Sequence, residues 1–204
     1  MEQKVALFDF DNTVARGDSI NRLLKYDLRK HPWHIIYFVK VALYYLGYLI
    51  HLCSFEKAKS AILFPLDYMS DEELKTFYQD IIVPTYYPHI VEEMKQKKEA
   101  GYVVILCTAS AEAYMQYTDL PVDCVLGTKT LRKNHHATHY VVGKNCKNEE
   151  KINRIVSYLD ERNMTIDYEN SYGYSDSDSD KPMLSLVKNK KRIVLKTGEM
   201  IEFK

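Results

Sequence analysis

Val5-Ala6-Leu7-Phe8 is a short unbroken apolar run that ends in acids at Asp9 and Asp11. A run without polar alternation is the pattern of a strand buried on both faces of a parallel sheet, with its carboxyl end opening onto a site. Val103-Val104-Ile105-Leu106-Cys107 repeats it and also ends in polar residues, Thr108-Ala109-Ser110. Cys124-Val125-Leu126, Ser171-Tyr172-Gly173-Tyr174 and Ile193-Val194-Leu195 predict three more strands, separated by helical or looped sequence. Strands alternating with helices predict an α/β fold, a parallel sheet with helices on both faces.

The helices carry clearer end signals. Ser70-Asp71-Glu72-Glu73 is a capping box, and Pro88 begins a helix that Gly101 can end. Asn148-Glu149-Glu150-Lys151 opens a helix with Ile152, Ile155 and Leu159 on one face, which puts Lys151 in the first turn. The helix dipole disfavours a cation there, so an anion beside Lys151 is expected. Residues 14 to 100 predict a long helical insertion, without a clear strand, between the first two strands of the sheet.

Ile35 to Cys53 is strongly apolar, with Lys40 as its only charge. Its length approaches the roughly 18 to 20 residues that span a bilayer. Lys40, Gly47, four tyrosines and His51 argue against a span. The favoured reading is a buried or pocket-lining helix, interrupted near Gly47, and the second is an interfacial surface in peripheral contact with a membrane through residues 35–53.

Composition narrows the classes. The chain has 204 residues, 46% of them hydrophobic, and 28 Lys and Arg balance 28 Asp and Glu. A soluble globular protein of one or two domains is expected, with no global field to attract nucleic acid. The basic run from Lys188 to Arg192 reads as a solvated approach to an edge strand. Cys53, Cys107, Cys124 and Cys146 are too dispersed for a metal knuckle and too few for a disulfide scaffold, which suits a reducing cytoplasm. No signal peptide is expected from the first residues. His135, His136 and His139 read as a polar hairpin before they read as zinc ligands.

Asp9 and Asp11 flank Phe10 just beyond a buried strand, and a second acidic group, Asp176 and Asp180, follows another. Carboxylates gathered at one edge of a parallel sheet repel one another unless a cation sits between them, and hard oxygen donors suit Mg2+. Thr108 and Lys151 add a hydroxyl and an ammonium at that edge. Metal, hydroxyl and ammonium together describe a phosphoryl site.

Asp9-Phe10-Asp11-Asn12-Thr13, Thr108, Lys151 and the run Asp176-Ser177-Asp178-Ser179-Asp180 resemble, in that order, the four motifs of the haloacid dehalogenase (HAD) superfamily. The insertion resembles a type 1 cap. Tyr174-Ser175-Asp176 through Lys181-Pro182-Met183-Leu184, together with Gly143-Lys144-Asn145-Cys146 and Gly127-Thr128, is similar to the phosphoserine phosphatase-like subfamily IB. The resemblance implies a Rossmann-like parallel sheet flanked by helices, with a catalytic core from residues 1–13 and 101–204 and a helical cap from 14–100. It also implies an Mg2+-dependent phosphomonoester hydrolase acting through an aspartyl phosphate.

By that resemblance Asp9 is the nucleophile and Asp11 the general acid and then base. The carboxylates of Asp9 and Asp176 and the main-chain carbonyl of Asp11 hold the metal. Thr108 and Lys151 hold the phosphoryl group, main-chain amides near Asn12 and Ala109 assist, and Asp180 orients Lys151 or a metal-bound water. Asp178 is expected to be a solvated loop residue.

Members that hydrolyse phosphoserine pair an acid after the first motif with a cap arginine. Here Asp18 holds the acidic position, and no arginine occurs between Arg29 and Arg132, leaving Lys57 or Lys59 to substitute without the bidentate fork. Phosphoserine is therefore the alternative substrate, behind another small-molecule or lipid-precursor phosphate. From a different class, a receiver-like phospho-aspartate signalling module also uses a parallel sheet and Mg2+, but the insertion after the first strand and the acid/base at Asp11 favour turnover.

Overall fold

The structure is a computed structural model that describes residues 1–203. β1 (Glu2–Gln3) leads into β2 (Val5–Phe8), after which five helices follow: α1 (Ser19–Lys30), α2 (Tyr37–Leu49), α3 (Phe55–Ile62), α4 (Asp71–Phe77) and α5 (Pro88–Glu99). Next come β3 (Val103–Ala111), α6 (Glu112–Met115), β4 (Cys124–Thr128) and a hairpin of β5 (Thr130–Lys133) and β6 (His136–Val141). The chain continues through α7 (Glu149–Asp160), β7 (Thr165–Ile166), β8 (Tyr172–Ser175), α8 (Lys181–Leu184), β9 (Asn189–Ile193) and β10 (Met200–Glu202).

The central sheet has the order β10-β9-β8-β2-β3-β4. Its neighbours are parallel except β10, which runs antiparallel to β9. Side chains alternate across each strand. Ala6, Phe8, Val104 and Leu106 therefore face one side, with Ile90 and Met94 of α5, while Val5, Leu7, Ile105 and Cys107 face the other, with Ile155 and Leu159 of α7 and Met183 and Leu184 of α8. Burial on both faces explains the unbroken apolar runs, and the α/β sheet flanked by helices is as expected. Because β2 lies between β8 and β3, the carboxyl ends of all three strands share one edge.

Local signals act where they were read. Ser70 Oγ accepts from the Glu73 amide, and the Glu73 carboxylate accepts from the Ser70 amide, closing the capping box at α4. Gly101, at φ +79°, takes the left-handed turn that follows α5. The last strand is displaced from its expected place. Asn189–Ile193 pairs with β8, so the basic run lies within β9, and β10 covers the edge it was expected to form. Consecutive basic residues, Lys190, Lys191 and Arg192, can occupy this strand because their stems pack while their charged ends reach water.

The apolar stretch in the insertion also differs from its favoured reading. A short 3-10 turn (Pro32–Ile36) leads into α2, which runs through Gly47 without a break, and none of its 13 residues is buried. Val39, Leu43, Tyr45, Leu46 and Leu49 are all more than half exposed. Among the described residues no helix is long and apolar enough to cross a membrane. The pocket-lining part of the expectation holds, since α2 walls a cleft against α3.

Candidate active site

The exit of β2 is tied to its neighbour by the Asp9 amide, which donates to the Tyr174 carbonyl at 3.0 Å. The chain then turns sharply, with the amides of Thr13, Val14 and Ala15 all donating to the Phe10 carbonyl. Asn12 takes φ +62°, a left-handed conformation that asparagine tolerates, and its side-chain oxygen accepts from the Gly17 amide at 2.9 Å. This turn holds Asp9 and Asp11 at the sheet edge.

Lys151, in the first turn of α7, brings its ammonium under that edge. Its Nζ lies 2.7 Å from Asp9 Oδ1 and 2.7 Å from Asp180 Oδ1. Ser175 Oγ donates to the other Asp180 oxygen at 2.6 Å, which fixes the carboxylate that aims Lys151. The lysine is only 2% exposed, so the anions expected beside it are these two carboxylates. Burial opposes its charge, but Asp9 and Asp180 outweigh that cost and hold its pKa above the ordinary lysine value. Burial pushes the Asp9 carboxyl up to about 7, against Lys151 and with the repulsion of Asp180.

Asp176 approaches from β8. Thr13 Oγ1 lies 3.3 Å from Asp9 Oδ2 and 3.4 Å from Asp176 Oδ1, and accepts from the Asp176 amide at 3.1 Å. One hydroxyl thus bridges the two strand ends. Asp178 is exposed and pairs with Lys181 and Arg192 at the surface, outside this cluster.

Asp11 points elsewhere. Its Oδ1 accepts from the Ser19 amide at 2.7 Å, and its Oδ2 accepts from Ser110 Oγ at 2.6 Å and Ser19 Oγ at 3.2 Å. Tyr114 OH lies 2.9 Å from Ser19 Oγ and completes the group. Burial pushes the Asp11 carboxyl up to about 6, opposed by the Ser110 hydrogen bond.

Thr108 is buried within β3, in the stretch between Cys107 and Ala111 where the β3–β4 register shifts. A bulge of this kind re-aims side chains near a site. Thr108 Oγ1 accepts from the Ser110 amide at 3.0 Å. The Ala109 carbonyl accepts from Thr128 Oγ1 at 2.7 Å and from Lys59 Nζ, which also donates to Asn145 Oδ1.

Among the described residues no three His, Cys, Asp or Glu side chains form a metal-binding group. The donor set still fits a hard divalent cation. Asp9 and Asp176 meet through Thr13, and together with Asp180 they face only the Lys151 ammonium, leaving negative charge for a cation to neutralise. Asp11 could add only its main-chain oxygen, because its side chain is engaged with Ser19 and Ser110.

Asp9, Lys151, Asp176 and Asp180, read from strand and helix ends, thus come together, while Thr108 is tied to the Ser110 amide of the same strand. Thr13 and Ser175 join that cluster, Ser19 and Ser110 hold Asp11, and Asn145 holds Lys59, none of them having been singled out for a role. Single hydroxyls and amides carry no spacing signal of their own. Cys107 and Cys146, 39 residues apart in the chain, are buried neighbours with their sulfurs 3.7 Å apart. Asp18, in the position of an amino-acid clamp, instead caps α1 by accepting from the Asn21 amide.

Comparison with known proteins gives a consistent picture. Residues 6–185 match the family model for haloacid dehalogenase-like hydrolases. A search of curated protein sequences finds no match. A protein of unknown function from Bordetella pertussis Tohama I is similar in structure with a TM-score of 0.78, at 21% identity over 93% of this chain and 89% of that one. A phosphoserine phosphatase carrying a phospho-aspartyl intermediate analogue is similar at TM-score 0.63, with 19% identity over 93% and 86% of the two chains. A HAD family hydrolase from Salmonella enterica serovar Typhi gives 0.67 at 14% identity, over 91% of this chain and 60% of that one. At these identities the likeness is one of fold.

Proposed function

The chain belongs to the haloacid dehalogenase-like hydrolase family, and from that premise we propose that it is a cytoplasmic phosphomonoester hydrolase that works through an aspartyl phosphate on Asp9. The observation that carries this reading is the buried contact of Lys151 with both Asp9 and Asp180, with Asp176 joined to Asp9 through Thr13. Core residues 1–13 and 101–204 with a cap from 14–100 are the proposed division, with α5 lying against the sheet.

In the first step an Asp9 carboxylate oxygen attacks phosphorus and the ester P–O bond breaks. The Asp11 carboxyl gives its proton to the departing alcohol oxygen. Its raised pKa, about 6, keeps a usable protonated fraction near neutrality. In the second step the Asp11 carboxylate takes a proton from water as the water oxygen attacks the aspartyl phosphate, freeing Asp9 and inorganic phosphate. Ser19 and Ser110 hold Asp11 in place for both transfers. Lys151, aimed by Asp180, and the Thr108 hydroxyl bind phosphoryl oxygens, since this chemistry depends on positioning and charge neutralisation. Mg2+ would be held by Asp9, Asp176 and the Asp11 carbonyl, where it supplies further neutralisation of phosphoryl charge.

Phosphoserine remains the less favoured substrate because Asp18 is spent on a helix cap and the cap offers lysine in place of arginine. The test is a panel of amino-acid, sugar, nucleotide and lipid phosphates assayed with Mg2+ and after chelation, with acid quenching to trap phosphoprotein. Mg2+-dependent phosphate release with an acid-stable, hydroxylamine-sensitive phosphoprotein is expected. A phosphoprotein persisting for hours without turnover would defeat the enzyme reading and favour a signalling module.

A further inference from the structure

Tyr114, on α6, is fully buried, and neither reaction step uses it. Its ring stands edge-on to Phe77 of α4 with centroids 5.7 Å apart, a packing that fixes where its hydroxyl lies. Among the described residues that hydroxyl has one hydrogen-bond partner, Ser19 Oγ at 2.9 Å. Ser19 Oγ lies in turn 2.6 Å from Ser110 Oγ and 3.2 Å from Asp11 Oδ2, and Ser110 Oγ donates to the same Asp11 oxygen at 2.6 Å. Side chains from α6, α1 and β3 thus form one continuous chain of contacts that ends on Asp11.

Counting hydrogens gives the chain a direction. A buried hydroxyl without an acceptor is costly, so the Tyr114 proton goes to Ser19 Oγ. Ser19 then directs its own proton to Ser110 or Asp11, and Ser110 directs its proton to Asp11. A serine hydroxyl is a free rotor until a neighbour donates to it. Without Tyr114 the Ser19 proton could turn away, and Ser19, which grips Asp11 Oδ1 by its amide and Oδ2 by its hydroxyl, would keep only the amide contact. We propose that Tyr114 is a positioning residue for transfer of the leaving-group proton, acting through Ser19 to fix the Asp11 carboxyl where it meets the departing alcohol oxygen. The inference rests on the phosphomonoesterase reading and adds a residue to its first step. In that step the bond from the Asp9 oxygen to phosphorus forms, the electron pair of the breaking ester P–O bond goes to the alcohol oxygen, and the Asp11 proton joins it. Tyr114 and the two serines neither gain nor lose a proton.

The test compares two leaving groups of similar size, using benzyl phosphate and p-nitrophenyl phosphate on the full chain with Mg2+. Benzyl alkoxide needs a proton to depart, whereas nitrophenolate leaves without one. The readout is kcat/KM, which covers the steps up to loss of the leaving group. Tyr114→Phe keeps the ring against Phe77 and removes only the hydroxyl. It should lower kcat/KM for benzyl phosphate by about tenfold, a part of the roughly 10²- to 10⁴-fold that a general acid supplies, and leave p-nitrophenyl phosphate within about twofold. Ser19→Ala breaks the chain one step nearer Asp11 and should show the same split. The double variant should lose no more than Ser19→Ala alone, because Tyr114 acts only through Ser19.

Circular dichroism and urea unfolding check the fold of each variant. Should Tyr114→Phe fail to fold, 4-fluorophenylalanine at position 114 fills the space of the hydroxyl without a proton to donate, and the same split is expected. A merely structural tyrosine would lower both substrates together. Equal losses on the two substrates, no loss on either, or additive losses in the double variant would overturn the proposal and leave the phosphatase standing. Wild-type turnover of p-nitrophenyl phosphate but of no alkyl phosphate would overturn it as well, since no alcohol would then receive a proton. Absence of wild-type turnover on every phosphomonoester would instead remove the phosphatase reading, and the proposal with it.

Discussion

Lys59, on cap helix α3, donates to the main-chain oxygen of Ala109 at the catalytic end of β3 across 2.5 Å, although 50 residues separate them. The same ammonium reaches Asn145, which Thr128 also holds, so one buried cation joins the cap to β3 and to the loop before α7. It is a positive charge placed beside Thr108, where the phosphoryl group is expected to sit.

Burial pulls the Lys59 pKa down to about 8, with Asp11 opposing the shift. The charge is therefore present below pH 8 and lost above it, so KM for phosphomonoesters should climb between pH 7 and 9.5. Lys59→Met should raise KM at pH 7 by about tenfold, close to 1.4 kcal/mol, and flatten that rise. The stability effect has the opposite sign. Between about 8 and the ordinary value of 10.5 the unfolded chain keeps the proton that the folded chain has released, so this group's contribution improves as pH rises through that window. Steady-state kinetics and urea unfolding across pH check both directions, and an unaltered pH profile in Lys59→Met would refute the assignment.

Asp9→Asn removes the attacking oxygen and should abolish both turnover and phosphoprotein, with the fold retained. Asp11→Asn should cost about 10²- to 10⁴-fold in kcat, the usual scale of a general acid, while binding of a phosphate analogue persists. Acid-quench trapping and calorimetry with phosphonate distinguish the two. Near-normal turnover in purified Asp9→Asn would exclude the covalent route.

The parts of this molecule that could be read from its sequence are those where one physical demand dominates several adjacent residues. Val5 to Phe8 and Val103 to Cys107 must be apolar on both sides, and Ser70 to Glu73 must close a helix end, so these segments announce themselves. Asp9, Lys151 and Asp180 are readable because charged groups at strand and helix ends need an explanation. The Ser19, Ser110 and Tyr114 hydroxyls around Asp11 come from three separate elements, and no local pattern connects them. The Ile35 to Cys53 stretch misled for the opposite reason. Its hydropathy reports a preference for apolar surroundings, and an exposed helix facing a cleft has the same composition as a buried one.

Gly173 supports the site from below. A Cβ there would stand 2.7 Å from Leu184 Cδ2 and 3.0 Å from Val187 Cγ2, so Gly173→Ala must displace these two side chains or push β8 away from them. Overpacking of this kind costs about 1 to 3 kcal/mol. Because β8 also carries Ser175 and delivers Asp176, kcat should fall together with the urea midpoint. A variant with lowered stability but unchanged kcat would show that Leu184 and Val187 yield without moving the strand.

The acidic run from Asp176 to Asp180 offers the sharpest contrast, because neighbouring acids there meet opposite surroundings. Lys151 stands between Asp9 and Asp180 in a buried pocket, so Lys151→Ala leaves two carboxylates without their cation. Breaking a buried pair in this way costs about 3 to 5 kcal/mol, and the lost phosphoryl contact should lower kcat/KM by at least about a hundredfold. Asp180→Asn keeps the shape but weakens the aim of Lys151, so its loss should fall mainly on kcat. Asp178 lies in water, with Lys181 and Arg192 holding its carboxyl below the ordinary range, and Asp178→Ala should leave kcat/KM within about twofold. Side-by-side kinetics and urea unfolding of the three variants test the register of the run. Comparable catalytic losses at Asp178 and Asp180 would mean that the acid aiming Lys151 has been misidentified.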